Sequence, residues 1–275
     1  MKQSLKSGNV IVHVILIIGA LAMLLPFIWM IITSLKTLTE SITVPPTIIP
    51  KDFQWSNYKE VWALLPFGKF YLNTMLMLLF RTLGSVFFSA MAAYAFARIK
   101  FPGRNFFFML ILIQMMIPGQ LFIIPQYNLV SQLGLLNTVS ALSVPGIVSA
   151  FGTFLLRQFF IGIPNELEEA AILDGCNRWQ IFWKIMMPLT RSGLIAVGIF
   201  TALFAWKDLM WPLIVNVSID KMTLASGLAS LQGQYSTNFP QLMAGSMIAI
   251  WPMLLLFIVF QKQFIAGIAS TGSKS

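Results

Sequence analysis

Residues 166–188 read ELEEAAILDGCNRWQIFWKIMMP, from Glu166 to Pro188, the longest charged and amphipathic passage between two apolar spans. Pro164 suits the opening of a helix because its missing N–H would be unsatisfied there anyway. Glu166, Glu168 and Glu169 put negative charge over the first turn, where the helix dipole favours it. The Asp174-Gly175 step predicts a stop after about two turns, since glycine takes the left-handed conformation past a helix end without a Cβ penalty. Asn177 is expected to cap a second helix, in which Trp179, Phe182, Trp183 and Met186 recur at helical spacing while Arg178, Gln180 and Lys184 lie off that stripe. Pro188 is expected to end it. Two short helices meeting at a glycine, with an acidic lip and an aromatic face, have the shape of a docking element. The bland alternative is a helix pair resting on a membrane surface, which the balanced charges disfavour.

The surroundings of this passage decide the class. The chain has 275 residues, 57% hydrophobic and 10% charged, a balance that soluble globular domains do not show. The pattern predicts an all-α membrane protein, one transmembrane domain over 1–275, with spans at 10–32, 70–97, 106–124, 138–160, 192–215 and 243–264. The loop 161–191 falls between the fourth and fifth spans. The first run is longer than the roughly 7 to 15 residues of a signal-peptide core and has no small-residue cleavage site, so it reads as a membrane helix. Stretches 33–69, 126–137 and 217–242 read as external loops. Pro118-Gly119 and Pro145-Gly146 interrupt the third and fourth spans, which is tolerated where neighbours satisfy the freed carbonyls.

Charge orients the map. Lys2, Lys6, Arg98, Lys100, Arg104, Arg157, Arg178, Lys184, Arg191, Lys262 and Lys274 fall on one side, and Lys36, Lys51, Lys59, Lys69 and Lys221 on the other. Eleven against five predicts that the loop 161–191 and both termini are cytoplasmic. The net charge of +9 is scattered between spans and forms no stripe, which argues against nucleic acid. One Cys and one His exclude a disulfide framework and a Cys/His-rich metal site.

Four motifs resemble those of one family. Glu169-Ala170-Ala171, Asp174-Gly175, Ile181-Phe182 and Pro188-Leu189 resemble the E-A-A…D-G…I-x-x-x-x-P-L loop of the membrane subunits of bacterial ATP-driven importers. Cys176 and Ser192 depart from it, standing where a small residue and a second proline are usual. Phe53, Trp55, Asn57, Tyr58, Glu60 and Val61 resemble an F-x-W-x-N-Y-x-E-V loop. Residues 94–98, Tyr-Ala-Phe-Ala-Arg, with Pro102-Gly103-Arg104, resemble A-Y-A-F-A-R…F-P-G-R. Trp206, Trp211 and Pro212 resemble W-N-x-x-x-W-P, with Lys207 in place of Asn. Together they are similar to the maltose-type carbohydrate branch of importer permeases.

The resemblance implies a cytoplasmic helix-turn-helix that seats in a cleft of a separate ATPase, with Ala170 and Ala171 admitting the partner's backbone and Gly175 setting the helix angle. Its coupling residues would be Glu166, Glu169, Ala170, Ala171, Asp174, Gly175, Arg178, Phe182 and Pro188. It implies a complex with a second membrane subunit, ATPase subunits holding ATP and Mg, and an external solute-binding protein, all in a bacterial cytoplasmic membrane and in contact with its lipid. No cofactor is expected in this chain. It contains no G-x-x-x-x-G-K-[ST] phosphate loop and no nucleophile, base and acid set, so a transport subunit is expected and not an enzyme. A sugar or oligosaccharide is the implied solute. A peptide, amino acid or glycerol phosphate is the alternative, and an ion-coupled carrier a weaker one, because it calls for intramembrane acids and repeats.

Four residues within spans are candidate intramembrane polar sites: Arg81, Gln114, Lys207 and Asp208. Arg81 lies sixteen positions before Ala97 and Asp208 sixteen after Ser192. At about 1.5 Å per residue both sit roughly 24 Å from the cytoplasmic ends of their spans. An isolated charge at membrane depth costs on the order of 2 to 3 kcal/mol, so each needs water or a partner. Two readings are open. Either Arg81 and Asp208 pair, directly or through water, or Lys207 and Asp208 reach the outer interface while Arg81 faces a watery cavity or the partner subunit. Lys207 itself is a poor mate for Asp208, being about 100° away on a continuous helix.

Overall fold

An uncharged run from Val10 to Ile32 can satisfy its backbone in an apolar medium only as a helix, and helix α1 extends over Ser7–Ser34. The computed structural model describes residues 7–233 and 237–272. Lys2, Lys6 and Lys274, counted above toward the cytoplasmic charge, lie outside them. In chain order follow α2 (Ser56–Leu64), α3 (Phe67–Arg98), α4 (Arg104–Met116), α5 (Ile123–Gln132), α6 (Val139–Ser143), α7 (Ala150–Ile161) and α8 (Asn165–Leu173). After these come α9 (Arg178–Leu189), α10 (Arg191–Lys207), α11 (Met210–Val215), α12 (Leu224–Ala229) and α13 (Phe239–Gly272). Among the described residues the only β feature is one antiparallel bridge, Gln232 to Thr237.

Val12–Ser34, α3 and Phe239–Val259 are long and apolar enough to cross a membrane, and three bent helix pairs bring the possible spans to between three and six. The bends correct several expected boundaries. The third span does not run straight over 106–124: α4 stops at Met116 and the chain turns by 104° into Gly119–Gln132. Ile117, preceding a proline, is forced to extended backbone (ψ 127°) and Pro118 follows it (ψ 126°). Most of the expected loop 126–137 is the helix α5, which tolerates Pro125 in its first turn, where an N–H is not needed. The fourth span bends by 45° at Pro145-Gly146. The fifth breaks at Asp208, so 192–215 is two helices. The expected loop 217–242 contains α12, whose Leu224, Ser226 and Gly227 are buried.

The chain forms two compact units. In the first, which holds α1, α2 and Leu228–Pro252, every side chain of α1 from Val12 to Trp29 is exposed, an apolar surface suited to lipid. The end of α1 is held by α2: Asn57 Nδ2 donates to the carbonyl of Ser34, the last residue of α1 (2.9 Å), and to that of Lys36 just beyond it (3.0 Å).

The second unit, Phe67–Gly227 and Met253 onward, is organised by α3. At 32 residues α3 is about 48 Å long, more than a bilayer core needs. Its small residues Ser85, Ser89, Ala90 and Ala93 are buried, so neighbouring backbones approach it closely. A Cβ on Gly152 of α7 would stand 2.6 Å from Ser89 Oγ, which is why that position has no side chain. Two apolar clusters fill the unit. One holds Tyr94, Phe160, Ile181, Phe182 and Met186, and the other holds Met77, Leu142, Trp211 and Val215.

Candidate functional site

The segment 164–189 forms as its residues dictate, with three corrections. Pro164 is the N-cap of α8, and Gly175 has φ +79° with nothing within 4 Å of where a Cβ would sit. The glycine is therefore required by backbone conformation and not by space. Asn177 caps α9 in a reciprocal box: its side chain accepts from Gln180 N (2.9 Å) while Gln180 Oε1 accepts from Asn177 N (2.8 Å).

Pro188 does not end the second helix. Residues Phe182–Met186 form a π turn in which Met187 N donates to Phe182 O, shifting the ladder by one residue. Pro188 thereby enters the final turn at a position where no N–H is called for. The helix stops at Thr190, whose hydroxyl donates to Met186 O (2.8 Å). The second correction divides the aromatic stripe. Phe182 and Met186 are buried against Tyr94 and Phe160, whereas Trp179 and Trp183 stay exposed. The third concerns the small pair. Ala171 is buried in that same cluster and is closed to a partner, leaving Ala170 exposed. An amphipathic helix one turn from its support must turn one alanine of an adjacent pair inward.

The outward face is thus Glu166, Glu169, Ala170, Asp174, Gly175, Arg178, Trp179 and Trp183. It also includes Leu173, 88% exposed, which sequence reasoning passed over. Its signal was its place just before Asp174-Gly175, where a helix end leaves an apolar side chain uncovered.

Glu168 is the other residue missed. It counted only as first-turn charge, yet it is buried and ion-paired with Arg178, and it accepts from Tyr94 Oη (3.4 Å). Arg98 Nε stands 4.0 Å from its other oxygen. Arg98 also donates to Phe160 O (2.5 Å), Ile163 O and the Asn165 side chain. One guanidinium at the end of α3 therefore ties together the last turn of α7, the connection at Ile163 and the entrance to α8. Tyr94 and Arg98 of the 94–98 motif are the support on which α8 and α9 stand.

The second polar site lies at the break after α10. Arg81 Nη1 donates to Asp208 Oδ2 at 2.7 Å, with Arg81 buried and Asp208 half-buried. Asp208 is not helical (ψ 110°), so the 100° argument about Lys207 does not apply to it. Its other oxygen accepts from Trp211 N (3.3 Å) and starts α11. Arg81 Nε donates to Leu142 O (2.7 Å), and Trp211 Nε1 donates to Ala141 O (2.9 Å). Ala141 O would, in an unbroken helix, bond the N–H of residue 145, which is a proline. The indole supplies the donor that Pro145 lacks. A Cβ on Gly146 would stand 2.7 Å from Arg81 Cδ, so the glycine makes room for the arginine's path. None of the pair's hydrogen bonds goes to Gln114 or Lys207; both are exposed.

With this geometry in view, the comparisons with known proteins agree with one another. Residues 85–269 match the family described as binding-protein-dependent transport system inner membrane component. An arabinooligosaccharides transport system permease protein of Halalkalibacterium halodurans is 45% identical over 190 residues, 69% of this chain and 68% of that one. Its Bacillus subtilis counterpart is 36% identical over 93% of this chain and 92% of its own length. An sn-glycerol-3-phosphate transport system permease protein of Pectobacterium atrosepticum is 31% identical over 98% and 99%. In fold, the chain is similar to a crystal structure of a bacterial ABC transporter involved in the import of the acidic polysaccharide alginate. The TM-score is 0.77 with 24% identity, over 95% of this chain and 99% of that one. The chain belongs to the family of inner membrane components of binding-protein-dependent transport systems.

Proposed function

We propose that this chain is one membrane subunit of an ATP-driven importer of a sugar or oligosaccharide, driven through residues 166–188 by a separate ATPase. The observation that carries the coupling reading is the outward face of α8 and α9. An acidic, apolar and aromatic surface is held on a rigid support by Arg98, Tyr94 and Glu168 and hinged at Gly175. ATP and Mg belong to the ATPase, since this chain has no phosphate loop. A second membrane subunit and an external solute-binding protein complete the assembly, with the coupling face and both termini in the cytoplasm.

The relatives name two solute classes, arabinooligosaccharides and sn-glycerol-3-phosphate. A phosphate needs an unpaired cation where it passes. Arg81, buried in α3, is neutralised by Asp208 and is not free to hold one, which favours a neutral carbohydrate. Uptake of labelled arabinooligosaccharide against labelled glycerol phosphate in cells carrying the whole transporter separates the two. For the coupling reading, Gly175→Val and Glu169→Lys are expected to abolish uptake with the chain still inserted, because a β-branched residue resists φ > 0. Normal transport by both variants would overturn it.

A further inference from the structure

We propose that the turn joining α3 to α4 is a binding site for the headgroup of an anionic phospholipid. A cavity of about 340 Å³ there is lined by Lys100, Phe101, Gly103, Arg104, Asn105 and Phe106. Arg157 of α7 has its guanidinium carbon 4.1 Å from the centre of the Phe108 ring and its Nε donating to Phe96 O (3.3 Å). Arg104 is near enough to Arg157 to repel it. Among the described residues no carboxylate lies within 4.0 Å of Lys100, Arg104 or Arg157.

Arg98, at the end of α3, differs: its two terminal nitrogens donate to two carbonyls and an amide oxygen, and it stands beside Glu168. Two cations lining one concavity, with a third close enough to repel one of them and none ion-paired among the described residues, call for an anion from outside the chain. Gly103 gives α4 no side-chain cap, and the first turn of α4 holds no carboxylate, so α4 itself offers nothing that competes for the place.

The apolar surface identifies the kind of anion. Phe106 lines the cavity and continues into Leu110 and Ile113 at i, i+4 and i+7, all exposed, an apolar strip running from the cations along α4. A ligand with an anionic head and a hydrocarbon tail matches both halves. A free anion uses only the first.

The test is photo-crosslinking from Leu110, replaced by p-benzoyl-phenylalanine, in the assembled transporter in vesicles of phosphatidylcholine with a minor share of phosphatidylglycerol. The adducts are identified by mass spectrometry of the chain. Phosphatidylglycerol adducts are expected in excess of that lipid's share of the bilayer. Each cation beside an anionic lipid is worth about fivefold, so Lys100→Gln with Arg104→Gln lowers that excess about 25-fold. Lys100→Arg with Arg104→Lys retains it, which separates lost charge from lost folding. Added inorganic phosphate leaves the adduct unchanged. Adducts that follow bulk composition, an adduct with another subunit, or competition by phosphate would each overturn the proposal.

Discussion

Two of the polar knots that tie the described helices are built differently. At Arg81–Asp208 both charges face inward, with side chains 9% and 22% exposed, and their remaining hydrogen bonds go to backbone that broken helices have freed. At Glu168–Arg178 the carboxylate is as buried as Arg81, but its arginine is 55% exposed. The first knot closes on itself and fixes where α6 and α10 break. The second has one end in the core and the other on the outward face, so it can pass a push at α8 and α9 on to α3 through Tyr94 and Arg98. A charge cluster at membrane depth stabilises bends, whereas one at a helix end can serve as a linkage.

The largest effect is expected where the closed knot loses one member. Arg81→Met or Asp208→Leu alone strands a buried charge and costs about 3 to 5 kcal/mol. Little folded protein should be extractable in mild detergent. The double swap, Arg81→Asp with Asp208→Arg, should recover a substantial part, and strictly additive losses would count against the pair. Next comes Trp211→Phe, which keeps the ring but orphans the Ala141 carbonyl, for about 1 to 3 kcal/mol. A thermal melt of the purified chain measures it.

The open knot should respond more weakly in stability and more strongly in transport. Glu168→Gln keeps the shape but removes the charge that Arg178 and Arg98 share. It is expected to cost about 1 kcal/mol in the melt, the order of one net hydrogen bond, while raising hydrogen exchange in α8 and lowering uptake. The smallest effect on folding is expected at Leu173→Ser, within about 0.5 kcal/mol because the side chain is already exposed. Its uptake should fall nonetheless, and a variant with full uptake would remove Leu173 from the docking face.

Local chemistry made parts of this legible in the sequence. Pro164, Gly175 and Asn177 each have a backbone requirement that no tertiary contact overrides, and the structure places all three as expected. Counting about 1.5 Å per residue put Arg81 and Asp208 at one depth because α3 and α10 run as unbroken helices over the residues counted, up to Lys207. What stayed hidden depended on direction. Pro118-Gly119 announces a break but not a 104° one, and hydropathy is the same for a span and for an apolar helix turned aside, so α5 read as a loop. Glu168, one residue from Glu169, looked equivalent to it, and only the packing of α8 on Tyr94 and Phe160 decides which carboxylate turns inward. Pro188 was misread because a π turn leaves no mark in composition.

The account stands most directly on whether the outward face of α8 meets the ATPase. The measurement is cross-linking from Glu169→Cys in a Cys176→Ala background, using a short thiol-to-amine reagent on the assembled transporter in membranes. A covalent product with the ATPase subunit that forms from position 169, and not from Ala171→Cys on the buried side of the same helix, is the expected result. A product from 171 but not from 169, or labelling of 169 by an impermeant thiol reagent added outside intact cells, would contradict it.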